Sequence, residues 1–337
     1  MELGFTPDVL ITGANAGLIN SRLVDWEHVD AAGVESDSLK LTINIEDLDG
    51  LPSPDGKIGL QVGYKETGLV DVGEFTISNT QPQLFPALLT ITATAAPFKV
   101  ADETKFKERR SASYGPTTLG AIFRELAGRH GFSPRIAPAL DAMAIDHVDQ
   151  SNETDMGFLT RISEKYDAVT KPINDLYVMG RRGELKSLSG KAIAPVVLSV
   201  TKGARPDERS FINATLDENS RVKFKGCKTT WWDGATAKEC VVETGTEPFK
   251  RDRQRYQNEA EAKAAGEGTA RKLKRESRQV TIDCPGNPAL QAEGIVILDG
   301  SWPAYMQGAW SIDKMTASGS RQQSYRCRIV ATLPVED

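Results

Sequence analysis

Few residues in this chain have the type and spacing that chemistry would need. The 337 residues hold three histidines, His28, His130 and His147. His28 falls in an expected strand, His130 at the end of an expected helix, where a partial positive charge suits the helix dipole, and His147 in a loop. His130 and His147, with Asp146 and Asp149, are the right residue types for a metal, but no i, i+4 pair or His-x-His spacing gathers them. Glu153 and Asp155 are close enough to suggest the two carboxylates of a glycosidase. Both also suit the first turn of a helix, where negative charge meets the positive end of the dipole. Cys227, Cys240, Cys284 and Cys327 show neither C-x-x-C spacing nor a neighbouring histidine, and Cys327 alternates in phase with Tyr325 and Ile329. They read as reduced structural thiols. Neither G-x-x-x-x-G-K-[ST] nor G-x-G-x-x-G occurs. The expectation is a protein that is not an enzyme, with no catalytic, cofactor-binding or metal-binding residue to name.

The elements around these residues are clearer. In DQSNETDMGFLTRISEKYDA, Asp149–Ala168, Asn152 suits an N-cap, and Phe158, Leu159, Ile162 and Tyr166 fall on one helical face, with Arg161, Glu164 and Lys165 on the rest. Upstream, TTLGAIFRELAGRHGF places Leu119, Ile122, Phe123 and Leu126 on one stripe and ends at Gly131, suited to a left-handed cap. These two helices and the extended piece between them, Pro134 to Val148, predict a small α/β unit.

On either side the period changes to two. Leu39, Leu41, Ile43 and Ile45 alternate with Lys40, Thr42 and Asn44, and IGLQVGY, GEFTIS and LLTITAT repeat the pattern, as half-buried strands do. Val9–Thr12 and Leu23–Val29 add further strands. A closed barrel would remove the exposed edges. Strand patterns return after residue 191, interrupted by one helix over 258–276, with Asn258 as its cap and Glu261 as the capping-box partner. Its apolar face is mostly alanine, with Leu273 the one large residue, so it can lie close to a sheet. The fold expected is mainly β with an α/β insert: an N-terminal β-barrel over 1–100, the insert over 101–190, and a second β-barrel over 191–337. The run ADETKFKERRS reads as a solvated linker, and LYVMGRRGELKSL as a hairpin closing the insert.

Composition narrows the function classes. A hydrophobic fraction of 39% and a charged fraction of 26% are those of a soluble globular protein. No apolar run approaches the roughly 20 residues of a membrane helix, so no membrane anchor is expected, and the N-terminus does not resemble a secretory signal. Synthesis in a host cytoplasm is the corresponding expectation. The net charge of −5 gives no general attraction for nucleic acid. FKRDRQRYQ, Phe249–Gln257, and RKLKRESR, Arg271–Arg278, are basic, but interleaved acids point to a solvated or subunit-contact face. Trp231 and Trp232 are adjacent, so on a strand one faces the core and the other is left exposed, suited to a binding anchor.

The chain resembles the late control protein D family of contractile-tailed phages, which are baseplate or tail hub proteins. The resemblance is carried by Thr118, Leu119, Ile122, Leu126, Ala127, His130 and Gly131, then by Gln150, Asn152, Glu153, Asp155, Phe158, Leu159, Arg161 and Ile162. These follow the family's Gln-x-Asn-Glu-x-Asp-x-x-Phe-Leu-x-Arg pattern. GLVDVGEFTI, Gly68–Ile77, is similar to a further family segment. Thr154 stands where Ser is more usual, and Gly157 and Lys171–Pro172 also depart from the pattern.

The resemblance implies a homotrimer carrying two tail-tube-type barrels per subunit, so that a threefold spike meets a sixfold tube. Implied partners are the central spike protein and the tail tube protein, with the tape measure protein and the baseplate wedge as further candidates. The product would be a phage virion tail or a headless tailocin. Two other readings belong to different classes: a hub-associated cell-wall-degrading enzyme, and a carbohydrate-binding module using an exposed tryptophan.

Overall fold

A computed structural model describes residues 5–32, 36–48, 50, 56–95, 108–173, 176–181, 194–218, 224–321 and 324–334. The chain begins with β1 (Pro7–Gly13), α1 (Ala16–Arg22), β2 (Leu23–Ala31), β3 (Ser38–Asn44), β4 (Lys57–Tyr64), β5 (Gly68–Gln83) and β6 (Leu88–Thr94). Next come β7 (Arg109–Tyr114), β8 (Thr117–Thr118), α2 (Leu119–Arg129), β9 (Ser133–Ile136), α3 (Pro138–Asp141), β10 (Ala144–Ile145) and β11 (Val148–Thr154). They are followed by α4 (Asp155–Glu164), β12 (Ala168–Ile173), β13 (Leu176–Arg181), β14 (Val196–Leu198) and β15 (Asn213–Glu218). The last elements are β16 (Lys225–Asp233), β17 (Lys238–Thr246), β18 (Phe249–Tyr256), α5 (Glu259–Arg275), β19 (Arg278–Pro285), β20 (Ile295–Leu298), β21 (Gly308–Ser320) and β22 (Ser324–Thr332). The protein is mainly β. No helix among the described residues is long and apolar enough to cross a membrane.

The chain divides into two compact units, each discontinuous in sequence. The first comprises Met1–Pro97, Ala194–Leu216 and Val280–Ala331; the second comprises Phe98–Ile193, Asp217–Gln279 and Thr332–Asp337. These units cut across the three consecutive stretches read from the sequence, because residues 191–337 supply strands to both.

The first unit is built on one 12-stranded sheet, in which β1-β4-β5-β6-β3-β2-β21-β22-β19-β15 form the main path. Period-two alternation sets the core side, with Leu39, Leu41 and Ile43 buried and Lys40 and Asn44 exposed, although Thr42 on the polar phase is also buried; Leu89, Ile91 and Ala93 on β6 face the same core. The N-terminal strands join those from the end of the chain where β2 pairs antiparallel with β21, from Asp25↔Ser320 to Ala31↔Lys314. No pairing of β1 with β15 closes the path among the described residues. The short helix α1 was not anticipated from the sequence.

In the second unit the two motif helices bury the stripes expected of them. Leu119, Ile122, Phe123 and Leu126 from α2 pack with Phe158, Leu159 and Ile162 from α4, and with Tyr166 just beyond it. Phe132 N–H donates to Ala127 O at 3.0 Å and Gly131 N–H to Gly128 O at 3.1 Å, the paired bonds of a Schellman cap, with Gly131 at φ +76°. Beside this core, β12-β13-β9 form a three-stranded sheet in which Pro172 lies on the edge strand β12, a position that tolerates a missing N–H.

The start of α4 differs from expectation. Asn152 is not its N-cap: it sits in β11 at φ 51°, within an irregularity between Gln150 and Glu153 where β11 pairs with β7. The cap is Thr154, whose hydroxyl accepts from Gly157 N–H at 3.0 Å. Both residues are capping types. Tertiary pairing decides between them, because β7 holds Glu153 and Thr154 opposite Arg110 and Arg109 and so extends the strand to Thr154.

The helix expected over 258–276 is α5. Asn258 accepts from Glu261 N–H at 2.8 Å, while the Glu261 carboxylate reaches one residue further back than in the usual capping box, to Gln257 N–H at 3.2 Å. Its small face lies close to neighbouring backbone: Thr229 Oγ1 donates to Ala262 O at 2.8 Å, and a Cβ on Gly268 would stand 2.8 Å from Lys165 O. Most of ADETKFKERRS, and the expected hairpin from Arg182 onward, lie outside the described residues; Arg109–Ser111 belong to β7 and Leu176–Arg181 to β13.

Candidate functional site

The densest polar arrangement on the motif residues is a buried junction between α2 and α4. Asp155, the first residue of α4, is 1% exposed. Its Oδ2 accepts from Arg129 Nη1 at 2.9 Å and lies 2.8 Å from His130 Nε2, while Oδ1 accepts from Gln150 Nε2 at 2.8 Å. Gln150 Nε2 also donates to Glu153 O at 3.0 Å. Arg129 lies in the last turn of α2 and His130 is its C-cap. The charges of Asp155 and Arg129 thus sit at the helix ends whose dipoles favour them. Burial opposes ionisation of Asp155, yet the hydrogen bonds from Gln150, His130 and Arg129 outweigh it and hold its carboxyl below the usual range.

The neighbouring carboxylate has its own cation. Glu153 accepts from Arg161 Nε at 2.9 Å and Nη2 at 2.8 Å, a two-pronged contact that lowers its pKa against some burial. Arg161 also donates to Asp149 O and stacks over the Phe158 ring at 5.3 Å. Glu153 and Asp155 are therefore both held ionised, and neither has the raised pKa that a glycosidase's general acid requires.

The other candidates separate. His130 is buried against Asp155, whereas His147 is exposed, 3.2 Å from Asp149, which also accepts from Ser113 Oγ at 2.7 Å. Asp146 accepts from the Asn258 amide, and His28 is buried edge-on to Phe75 at 5.5 Å. The described residues contain no group of three or more His, Cys, Asp or Glu that could hold a metal ion. Cys227, Cys284 and Cys327 are buried free thiols, and burial raises each pKa, that of Cys327 to about 11, so they stay protonated and unreactive at neutral pH. Trp231 packs partly against Tyr256, Ala262 and Ala265, while Trp232 is 45% exposed beneath the Arg255 guanidinium at 5.8 Å.

Sequence reasoning missed the second buried ion pair of this unit. Arg275, in the last turn of α5, and Asp167, just past α4 at φ 53°, are each 4% exposed and meet at 3.1 Å. In sequence Arg275 is one member of a basic run, and nothing there marks it as the buried one.

These observations describe a rigid tie between elements, and the comparisons with known proteins agree with a structural part. No family model matches the chain. Over 204 residues it is 31% identical to the "Probable baseplate hub protein" of Escherichia phage P2, covering 59% of this chain and 52% of that protein. Across that segment the chain is similar in sequence to phage baseplate hub proteins. The protein of the same description from Escherichia phage 186 is 29% identical over 189 residues, 55% of this chain and 47% of its own. The chain spans about half the length of these curated relatives. Among solved structures, the 43 kDa tail protein of prophage MuSo2 from Shewanella oneidensis aligns over 98% of this chain and 99% of its own, with TM-score 0.65 and 12% identity. An E. coli type VI secretion component, described as similar to T4 bacteriophage tail proteins, aligns over 94% of this chain and 74% of its own, with TM-score 0.54 and 12% identity. At such identities the likeness is one of fold.

Proposed function

We propose that this protein is a structural baseplate hub of the late control protein D type, a non-catalytic homotrimer that joins the sixfold tail tube to the threefold spike of a contractile injection machine. The observation that carries the reading is the coincidence of two comparisons: sequence identity to the phage P2 hub protein, and a tail-protein fold spanning nearly the whole chain. The 12-stranded sheet, which takes strands from both ends of the chain, supports it, since three subunits with two tube-like barrels each would offer six positions to the tube. On this reading the β-rich stretches at the two ends of the chain form tail-tube-type barrels, completed where neighbouring subunits cover strand edges. The spike protein sits on one side and the tube protein on the other, with the tape measure protein and baseplate wedge as further contacts, in a phage tail or a tailocin. The work is done by shape and symmetry, and the buried ion pairs serve to keep the second unit rigid.

Native mass spectrometry of the chain alone and with its spike and tube proteins tests this. A trimer that binds both is expected. A persistent monomer that binds neither would sink the reading.

A further inference from the structure

The three-stranded sheet of the second unit has unlike edges. Its order is β17-β16-β18, with β17 antiparallel and β18 parallel to β16, so the two outer strands run in opposite directions. One face lies against α5, where Cys227, Thr229 and Tyr256 are buried. No further strand pairs with β17 or β18 among the described residues. Both are long for edge strands, at nine and eight residues, and neither contains a proline. Exposed edges of this kind are templates for strand addition.

Charge separates the two edges. β18 carries Lys250, Arg251, Arg253 and Arg255 against the single carboxylate of Asp252, which is engaged by the Tyr256 hydroxyl at 2.7 Å. β17 exposes Glu239 and Glu243. On the face away from α5, Glu243 meets Lys228 at 2.5 Å and Glu239 meets Arg255 at 3.4 Å. These pairs reach across the sheet, and all four side chains remain more than a third exposed. Charge on this face therefore grades from acidic at β17 to basic at β18, with Trp232 (45% exposed) and Val241 (57% exposed) between the charged residues.

We infer that the β18 edge of one subunit pairs antiparallel with the β17 edge of a second copy of this chain. The strand directions allow it, because a second copy in the same orientation brings its β17 to β18 running the opposite way. The arginines of β18 would stand directly beside Glu239 and Glu243 of the neighbour, one strand away instead of two, and their stems would cover the exposed Val241. Each copy offers one edge of each kind, so the contact is head-to-tail and closes only around a rotation axis. The inference rests on the homotrimeric reading above and assigns it a surface.

Sedimentation of the full chain tests it with three variants: β18 reversed (Arg251→Glu, Arg253→Glu, Arg255→Glu), β17 reversed (Glu239→Lys, Glu243→Lys), and both together. Each single reversal is expected to weaken trimer association at least about tenfold, and the combined variant to recover it. Single reversals that leave a full-strength trimer overturn the inference and leave the hub reading standing, whereas a wild-type chain that is monomeric at every concentration overturns both. A combined variant that stays dissociated, although folded by circular dichroism, also overturns the pairing. So does a β18 reversal that abolishes binding to a short DNA duplex while the trimer persists, which would assign that strand to nucleic acid. Should a variant fail to fold, hydrogen exchange on the wild-type chain decides: amides of β17 and β18 are expected to exchange more slowly in the trimer than on dilution, and no difference overturns the inference.

Discussion

His130 Nε2, at the C-cap of α2, lies 2.8 Å from Oδ2 of Asp155, the first residue of α4, and both side chains are almost wholly buried. The pair joins two helix ends that the sequence holds 25 residues apart. It explains why polar residues stand among the apolar stripes of the motif: the stripes make the core, while Asp155, His130, Arg129 and Gln150 set where one helix starts relative to the end of the other.

Replacing Asp155 by Asn keeps its shape and removes its charge. The buried His130 and Gln150 then lose an ionised acceptor, while Arg129, 29% exposed, can return partly to water. The expected loss is roughly 1–3 kcal/mol of stability in the second unit. Urea unfolding followed by hydrogen exchange at α2 and α4 measures it; unchanged protection there would show that the junction contributes nothing.

The same carboxylate predicts a pH dependence. Its folded pKa lies below the unfolded value, near 3.9, because the hydrogen bonds from Gln150, His130 and Arg129 overcome burial. The folded state thus binds this proton less readily than the unfolded state. The contribution is fully present above about pH 5 and disappears as pH falls through the folded pKa. Wild-type and Asp155→Asn stabilities should therefore differ most at neutral pH and converge in acid. A gap that stays constant down to the acid limit would contradict the assignment.

Thr154 and Asn152 should respond differently to substitution. Thr154→Ala removes the hydroxyl that accepts from Gly157 N–H and is expected to cost about 1 kcal/mol. Asn152→Gly, at φ 51°, is expected to be neutral or slightly stabilising, whereas Asn152→Val should be clearly destabilising. Thermal melts of the three variants rank them; a larger loss from Asn152→Gly than from Thr154→Ala would return the cap to Asn152.

Two helical glycines make a matched pair. A Cβ on Gly268 would meet backbone atoms of Lys165 and Tyr166 at 2.8 to 2.9 Å, so Gly268→Ala should push α5 away and cost about 1–3 kcal/mol. Gly128, in α2, has nothing within 4 Å, and Gly128→Ala should stabilise by up to about 1 kcal/mol. Equal effects in denaturant titrations would mean that α5 does not approach the α4 turn as described.

Much of this protein was legible in the residues alone. Alternation at Leu39, Leu41 and Ile43, helical spacing at Phe158, Leu159 and Ile162, and the glycine at 131 each describe a local preference, and local preferences set strand, helix and cap directly. The alanine-rich face of α5 likewise announced a close approach. The residues also carried the resemblance to tail hub proteins, because a motif is itself a sequence pattern.

Pairings between distant segments were decided by tertiary structure. Alternation says that one face of β2 is buried without naming β21 as its neighbour, and so it divided the chain into consecutive stretches where the fold interleaves them. Asn152 and Thr154 are chemically equivalent as caps until β7 pairs with β11 and carries the strand through to Thr154. Arg275 resembles its neighbours in a basic run until Asp167, 108 residues away, takes it out of water. In sequence, charge and hydrophobicity are properties of single residues; burial, pairing and the state of a carboxylate are properties of the space that distant residues enclose together.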